Sequence, residues 1–374
     1  MIKYLQQTGF FAELEGNQSG TMIMALLIVV VLCILCLIAL LIWILINRNQ
    51  IHVRKVETDR LTEQFESLLF DYLTSDHNEE ILNKIEKIAV YDFNREILIN
   101  QMRELSKSMN MNMGVNEEAR VRLRDLYFQM KLDKDSIKKL EHRKWHIQVK
   151  GFRELAFMDV TEADRKLYEA LKSKNNILRM EAQIALIRLN RDDPFGFLDH
   201  LTHPFTLWEQ LNVYELIILH NLPVPQFSRW ISSSNKTVVI FALRMIQVFK
   251  QKAVPQIVEC LNHVDRDIRQ VAIYVCGEMQ LRETLPHLKN MYKTEDYANC
   301  LAIVHTMNKI PDESMLSFLK LVLDKEDDVQ LQIESAKAIS KMGEVGISAL
   351  VRLMKSEYKN YQIIIRHVLD KRIN

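Results

Sequence analysis

The chain has 374 residues, and its 49 Lys and Arg against 48 Asp and Glu leave a net charge of +1. That balance gives no polyelectrolyte character to draw it to nucleic acid. With only 9 Gly and 7 Pro it lacks the turn residues that an all-β fold needs at about every eight to twelve positions, and its ordinary charged fraction excludes a disordered chain. The five Cys show no paired spacing, which excludes a disulfide framework and fits a reducing compartment for the three outside the apolar run described next.

Residues 1–21 form a short tail before Met22 to Ile46, a run of 25 residues without a charge and rich in Leu, Ile and Val. At about 1.5 Å per helical residue this run reaches roughly 37 Å, enough to cross a hydrocarbon core of roughly 30 Å. The tail carries Lys3 against Glu13 and Glu15, and no small-residue cleavage site follows the run. It therefore lacks the marks of a secretory signal and predicts a transmembrane helix over 22–46. Arg48, Arg54, Lys55 and Arg60 follow the run, while Lys3 alone precedes it. The positive-inside bias predicts a single-pass protein with its N-terminus outside and its C-terminal body in the cytoplasm. Trp43 stands where an interfacial aromatic belongs. The sequon Asn17-Gln18-Ser19 is read as chance, because it lies against the membrane.

Residues 47–75 predict a juxtamembrane helix, with Val53, Val56, Leu61, Phe65, Leu68, Leu69 and Tyr72 forming an apolar stripe. Residues 76–115 read as divergent helical repeats, 116–355 as regular ones, and 356–374 as a capping helix. The regular repeats are announced by proline. Pro194, Pro225, Pro255 and Pro286 recur every 30 or 31 residues, Pro311 follows sooner, and Val224-Pro225-Gln226-Phe227 returns as Val254-Pro255-Gln256-Ile257. Proline suits the first turn of a helix, so the period predicts a recurring helix start and a solenoid.

The clearest pair joins Val254 to Leu261 with a second helix whose Ile268, Val271, Ala272, Val275, Cys276 and Met279 share one face. Bulky residues mark the end of each second helix: Met130, Met158, Leu189, Leu219, Phe249, Met279, Met307 and Met342. Seven positions earlier stand mostly small ones, namely Gly151, Ala182, Asn212, Ala242, Ala272, Cys300 and Ser335, with Leu123 the exception. Small residues there predict the point where paired helices cross.

Asp267-Ile268-Arg269-Gln270-Val271-Ala272 and Asn176-Ile177-Leu178-Arg179-Met180-Glu181-Ala182 resemble the start of the second helix in the HEAT family of repeats. His203-Pro204 stands where that family has an Asp-Pro turn, and Ala338-Ile339-Ser340-Lys341-Met342-Gly343 is similar to the helix end. The resemblance covers about 116–355 and implies an all-α solenoid of roughly 7–9 helical hairpins behind the membrane helix. Glu209, Val239 and Tyr297 occupy the arginine position in other repeats, so the family's polar ladder is expected to be broken there. The resemblance also implies a scaffold that binds a protein partner, itself membrane-associated, as an accessory subunit of envelope or exopolysaccharide machinery. The alternative it implies is a HEAT-like enzyme or nucleic-acid binder, similar to bilin lyases or alkylpurine DNA glycosylases.

Between Ala119 and Arg153 eleven basic residues face four acids, a local charge of +7. Arg120, Arg122, Arg124, Lys138, Arg143 and Lys144 from this stretch are candidates for an acidic partner or anionic lipid. Arg244, Gln247, Arg269, Gln270, Tyr274 and Glu278, on second helices, are candidates for a concave partner surface. Cys260 with His263, and His142 with His146, have ligand-like spacing. However, the cysteines fall at apolar positions, and Arg143-Lys144-Trp145 replaces the glutamate of a zinc protease motif. No phosphate loop or nucleophile elbow is present. The expectation is therefore no catalysis, no metal, no cofactor, no nucleic acid and no small-molecule substrate.

Overall fold

The computed structural model describes residues 18–75, 78–111, 117–161, 164–190, 192–219, 222–355 and 362–370. The tail through Asn17 lies outside them. Among the described residues every regular element is helical, as the repeats require.

Helix α1, Gln18–Thr74, runs unbroken for 57 residues and joins the expected span and the juxtamembrane helix into one element. From Met22 to Thr74 there is neither Gly nor Pro, so nothing interrupts the i→i−4 hydrogen bonds. Its most apolar 18-residue window has a mean hydropathy of 3.7 and is wholly exposed, which makes the helix long and apolar enough to cross a membrane. Farther along, Phe65, Leu69 and Tyr72 are buried, at i, i+4 and i+7. They pack where α1 meets α2 (Asn78–Ile88), α3 (Asp92–Met111) and α4 (Glu117–Gln129).

The chain divides into two compact units, Met1–Leu132 and Asp133–Asn374. The second holds paired helices. Its second helices are α6 (Trp145–Phe157), α8 (Asn176–Leu189), α9 (Leu207–Leu219), α10 (Lys236–Val248), α12 (Arg266–Glu278), α14 (Tyr297–Lys309), α16 (Val329–Ser340) and α18 (Gln362–Leu369). Their first helices are α5 (Leu132–Leu140), α7 (Asp164–Ala170), α11 (Val254–Leu261), α13 (Leu285–Met291), α15 (Leu316–Lys325) and α17 (Gly343–Met354). Before α9 and α10 the first helix shrinks to 3₁₀ turns at Gly196–His200 and Phe227–Trp230. Eight pairs result among the described residues, with second helices 29 to 33 residues apart.

The sequence markers acquire physical meaning here. Pro255 and Pro286 occupy the first turns of α11 and α13, as expected. Pro194 and Pro225 instead precede only the two 3₁₀ turns, and Pro311 precedes a 3₁₀ turn that leads into α15. Large rings fill the space where the two first helices would stand. Phe227 lies against Phe195, Trp230, Phe241 and Phe249, and Phe205 meets Phe241 edge-on with centroids 5.1 Å apart. Such aromatic pairs bury much area in few residues.

The bulky markers Met158, Phe249 and Met279 are helix C-caps. The residue after each, Asp159, Lys250 or Gln280, turns left-handed with φ of 54°, 49° and 53°. Lys250 N–H donates to Gln247 and Gln251 N–H to Ile246, and the same pair of bonds closes α12, so this is a Schellman end built without glycine. The small residues mark close crossings. A Cβ on Gly151 would stand 2.8 Å from Leu140 Cδ2 and 2.9 Å from the Ser136 carbonyl oxygen, and Ala182, Ala242 and Ala272 are fully buried. Asn212 is the exception in α9, being only half-buried. At the chain end, the apolar α18 is partly consumed: Ile365 and Val368 are buried where it packs on α16 and α17, which leaves Ile363 widely exposed.

Candidate functional site

From α10 to α16 each second helix is tied to the next by polar contacts at its N-terminus. Lys236 at the start of α10 reaches Asp265 and Asp267 at the start of α12. Arg266 then reaches Asp296, and Tyr297 donates to Asp328. Asp265, Asp296 and Asp328 cap their own helices through backbone N–H groups. A second tier lies deeper. Arg269 donates to both oxygens of Glu295 at 2.5 and 2.8 Å and to the carbonyls of His263 and Val264. Arg179 likewise donates to Glu209 at 3.2 Å and to the Ser173 carbonyl at 2.9 Å.

These contacts revise two expectations. Glu209 does not break the ladder: it is buried, accepts from Arg179 and Gln183, and its other oxygen accepts from Thr206. Swapping the arginine for a carboxylate turns a repeated donor into its neighbour's acceptor. Arg269 is held within the fold rather than offered to solvent. Burial pushes the Glu295 carboxyl up, but the Arg269 and Asn299 hydrogen bonds outweigh it and hold the group below its ordinary range.

The other candidates on the second helices remain on the surface to different degrees. Tyr274 is exposed and meets the His305 ring edge-on, Gln270 and Gln247 are half-buried, and Glu278 pairs with Lys309. Arg244 is exposed, and its only hydrogen bond among the described residues is a long one of 3.4 Å to Gln210 Oε1.

Arg244 and Gln247 stand on the wall of a cleft of ≈ 460 Å³ between α9 and α10. Phe241, Met245, Leu207, Leu211, Tyr214 and Val248 give it an apolar lining, and Gln210 adds an amide. The cleft exists because α9 stands back from α8 and α10, whereas α6 with α8, α10 with α12, α12 with α14 and α14 with α16 approach closely. Leu207, Trp208, Leu211, Ile218 and Leu219 of α9 are consequently exposed. Of these five only Leu219 was singled out in the sequence, as a bulky helix end, and it is exposed where the other marked ends are not. The signal for all five was α9 itself, Leu-Trp-Glu-Gln-Leu-Asn-Val-Tyr-Glu-Leu-Ile-Ile-Leu, apolar on more faces than one neighbour can cover.

The basic stretch does not form one element. Arg120, Arg122 and Arg124 lie on α4 in the first unit, where Arg122 pairs with Glu118 and donates to the Ser75 carbonyl. Lys138, Arg143 and Lys144 belong to the second unit and are exposed. Two neighbours in the stretch are spent internally: Lys139 on the buried Glu154, and Arg153 on Glu181. His142 Nδ1 accepts from the Lys144 N–H, and His146 packs on Trp145. Cys260, Cys276 and Cys300 are buried, and burial pushes their thiols up to about 12, 11 and 11. Among the described residues no three metal-ligating side chains converge.

A family model described as HEAT repeats matches residues 254–340, from the first residue of α11 to the last of α16. No curated protein matches the chain. Among solved structures, an engineered protein determined by crystallography is similar, with 16% identity, 82% of this chain and 87% of that chain covered, and a TM-score of 0.32.

Proposed function

We propose that the chain is a membrane-anchored scaffold that binds a protein partner along its second helices and performs no catalysis itself. HEAT repeats in general mediate protein–protein interaction, and residues 254–340 carry them. The observation that carries the reading is the open surface from α9 to α12: Leu211 and Arg244 stand open on an apolar cleft and Tyr274 is exposed on α12, while Arg179 and Arg269, deeper in the repeats, are paired with glutamates. Exposed apolar area of this kind marks an interaction surface.

The anchor in this proposal is the apolar half of α1, with the N-terminus outside and both units in the cytoplasm, as Arg48, Arg54, Lys55 and Arg60 favour. The length of α1 also favours protein over lipid as what meets α4. From Asn47 to Phe65 the helix rises about 27 Å, and to Ser75 about 42 Å. Arg122 is bonded to Ser75, at the far end of that rise. Surface charge is screened over roughly 8–10 Å, so α4 faces a partner rather than headgroups. The narrower role, an accessory subunit of envelope or exopolysaccharide machinery, rests on the resemblance of tethered HEAT-like proteins.

A photo-crosslinking amino acid placed in turn at Leu211, Arg244 and Tyr274 tests the proposal in intact membranes. One common adduct is expected from all three, and none from Val264, which is exposed on a turn. No adduct from any of the three refutes the scaffold. Protease added to intact cells is expected to leave 47–374 whole, and digestion from outside refutes the topology.

A further inference from the structure

We infer that the α9–α10 cleft receives an acidic amphipathic helix of the partner, which deepens the scaffold proposal and rests on it. Three observations converge. First, the floor and walls are largely apolar over the first two turns of α9 and the facing turns of α10: Leu207, Leu211, Tyr214, Phe241, Met245 and Val248 line the groove. A helix laid in it presents apolar residues at i, i+4 and i+7 to that floor.

Second, the charge beside the groove is mainly positive and unspent. Arg153, Arg179 and Arg269 each meet a glutamate of the next repeat. Arg244 sits eight residues into its helix, as Arg153 does, but Val271 stands where Glu181 meets Arg153. Arg244, and the exposed Lys250 and Lys252 just past the end of α10, have no carboxylate partner among the described residues. Lys236 and Arg229 are already neutralised by aspartates, and Glu215 is the one exposed acid on α9. Carboxylates on one flank of a docked helix would complete the missing pairs, and electrostatic complementarity selects that partner over a basic one.

Third, the chain's own exposed apolar end is the wrong occupant. The α18 helix carries Arg366 close to Ile363, and so brings like charge to Arg244. A second copy docking through its C-terminus is therefore disfavoured.

The test uses the full chain in phosphatidylcholine nanodiscs, with binding to empty nanodiscs subtracted. The probes are two fluorescent 18-residue helices that share one leucine face, with Glu on the other positions in one and Lys in the second. The acidic helix is expected to bind at least about tenfold more tightly than the basic one, and to weaken as salt rises. Arg244→Glu is expected to reduce acidic-helix binding at least about tenfold, Arg244→Gln less, and Leu211→Glu strongly, each with an unchanged melting curve because both side chains are exposed. Equal binding of the two peptides, no binding, or indifference to Arg244→Glu overturns the inference. So does a dimer of the chain that Leu211→Glu dissolves, which would give the cleft to a second copy. If the adducts at Tyr274 persist while the acidic helix fails to bind, the scaffold stands and only the cleft's occupant is wrong.

Discussion

Replacing Arg269 by Ala separates a residue that holds repeats together from one that meets a partner. The guanidinium makes four hydrogen bonds, two to Glu295 and two to the carbonyls of His263 and Val264. Its side chain is 20% exposed and that of Glu295 only 5%. Removing it leaves the Glu295 carboxylate buried with Asn299 Nδ2, at 2.8 Å, as its remaining side-chain donor among the described residues. Stranding one partner of a buried pair costs about 3–5 kcal/mol. The partial exposure of Arg269 lets water recover some of that, which places the loss at about 3 kcal/mol. For a repeat body of this size the melting temperature should fall by about 6–12 °C. Far-UV circular dichroism of the full chain in detergent measures it, with Glu295→Gln completing a double-mutant cycle. A coupling energy of about 2 kcal/mol is expected. A loss under about 1 kcal/mol, or strictly additive effects, would refute the assignment of Arg269 to the fold.

Four further outcomes follow from the packing. Ala272→Trp, at a fully buried crossing, should cost about 1–3 kcal/mol or more in urea denaturation, and a neutral result would displace the small-residue register. Gln280→Gly should raise stability by about 0.5–1 kcal/mol, because glycine relieves a φ of 53° but adds chain entropy when unfolded; a loss would argue against the Schellman end. Cys260, Cys276 and Cys300 should resist a thiol reagent at pH 8 until urea unfolds the chain, since their thiols are pushed to about 12, 11 and 11, and fast native labelling contradicts this. Asp296 is held below the usual carboxylate range chiefly by the Asn299 N–H, and Asp312 by the Ser314 hydroxyl. Lowered folded values mean that their stabilisation is present above an unfolded value of about 3.9 and lost as pH falls through the folded ones. Denaturation midpoints should thus hold between about pH 6 and 8 and drop below about pH 4; no drop sinks the capping argument.

The repeat architecture was legible because burial in a solenoid is periodic. Ala182, Ala242 and Ala272, and the C-caps Met158, Phe249 and Met279, reappear wherever the same steric requirement does. The proline marker carried less. It constrains one dihedral and one N–H, which a 3₁₀ turn accommodates as well as a helix, so Pro194 and Pro225 announced helices that are only turns. The pairing of Arg179 with Glu209 was invisible because a contact between neighbours some thirty residues apart can exchange donor for acceptor without changing period. The cleft was missed for a related reason: periodicity says which face of α9 is apolar, but not that its neighbours draw back.

The unbroken course of α1 has a mechanical consequence. A Gly-rich linker or a Pro kink behind a membrane span would decouple what lies on either side. Here the rod that exposes Leu41 and Ile44 is the same rod whose Phe65 and Leu69 sit in the core of the first unit. With the apolar half in a membrane, piston or twisting movements of that half are handed directly to α2, α3 and α4, with no joint to absorb them.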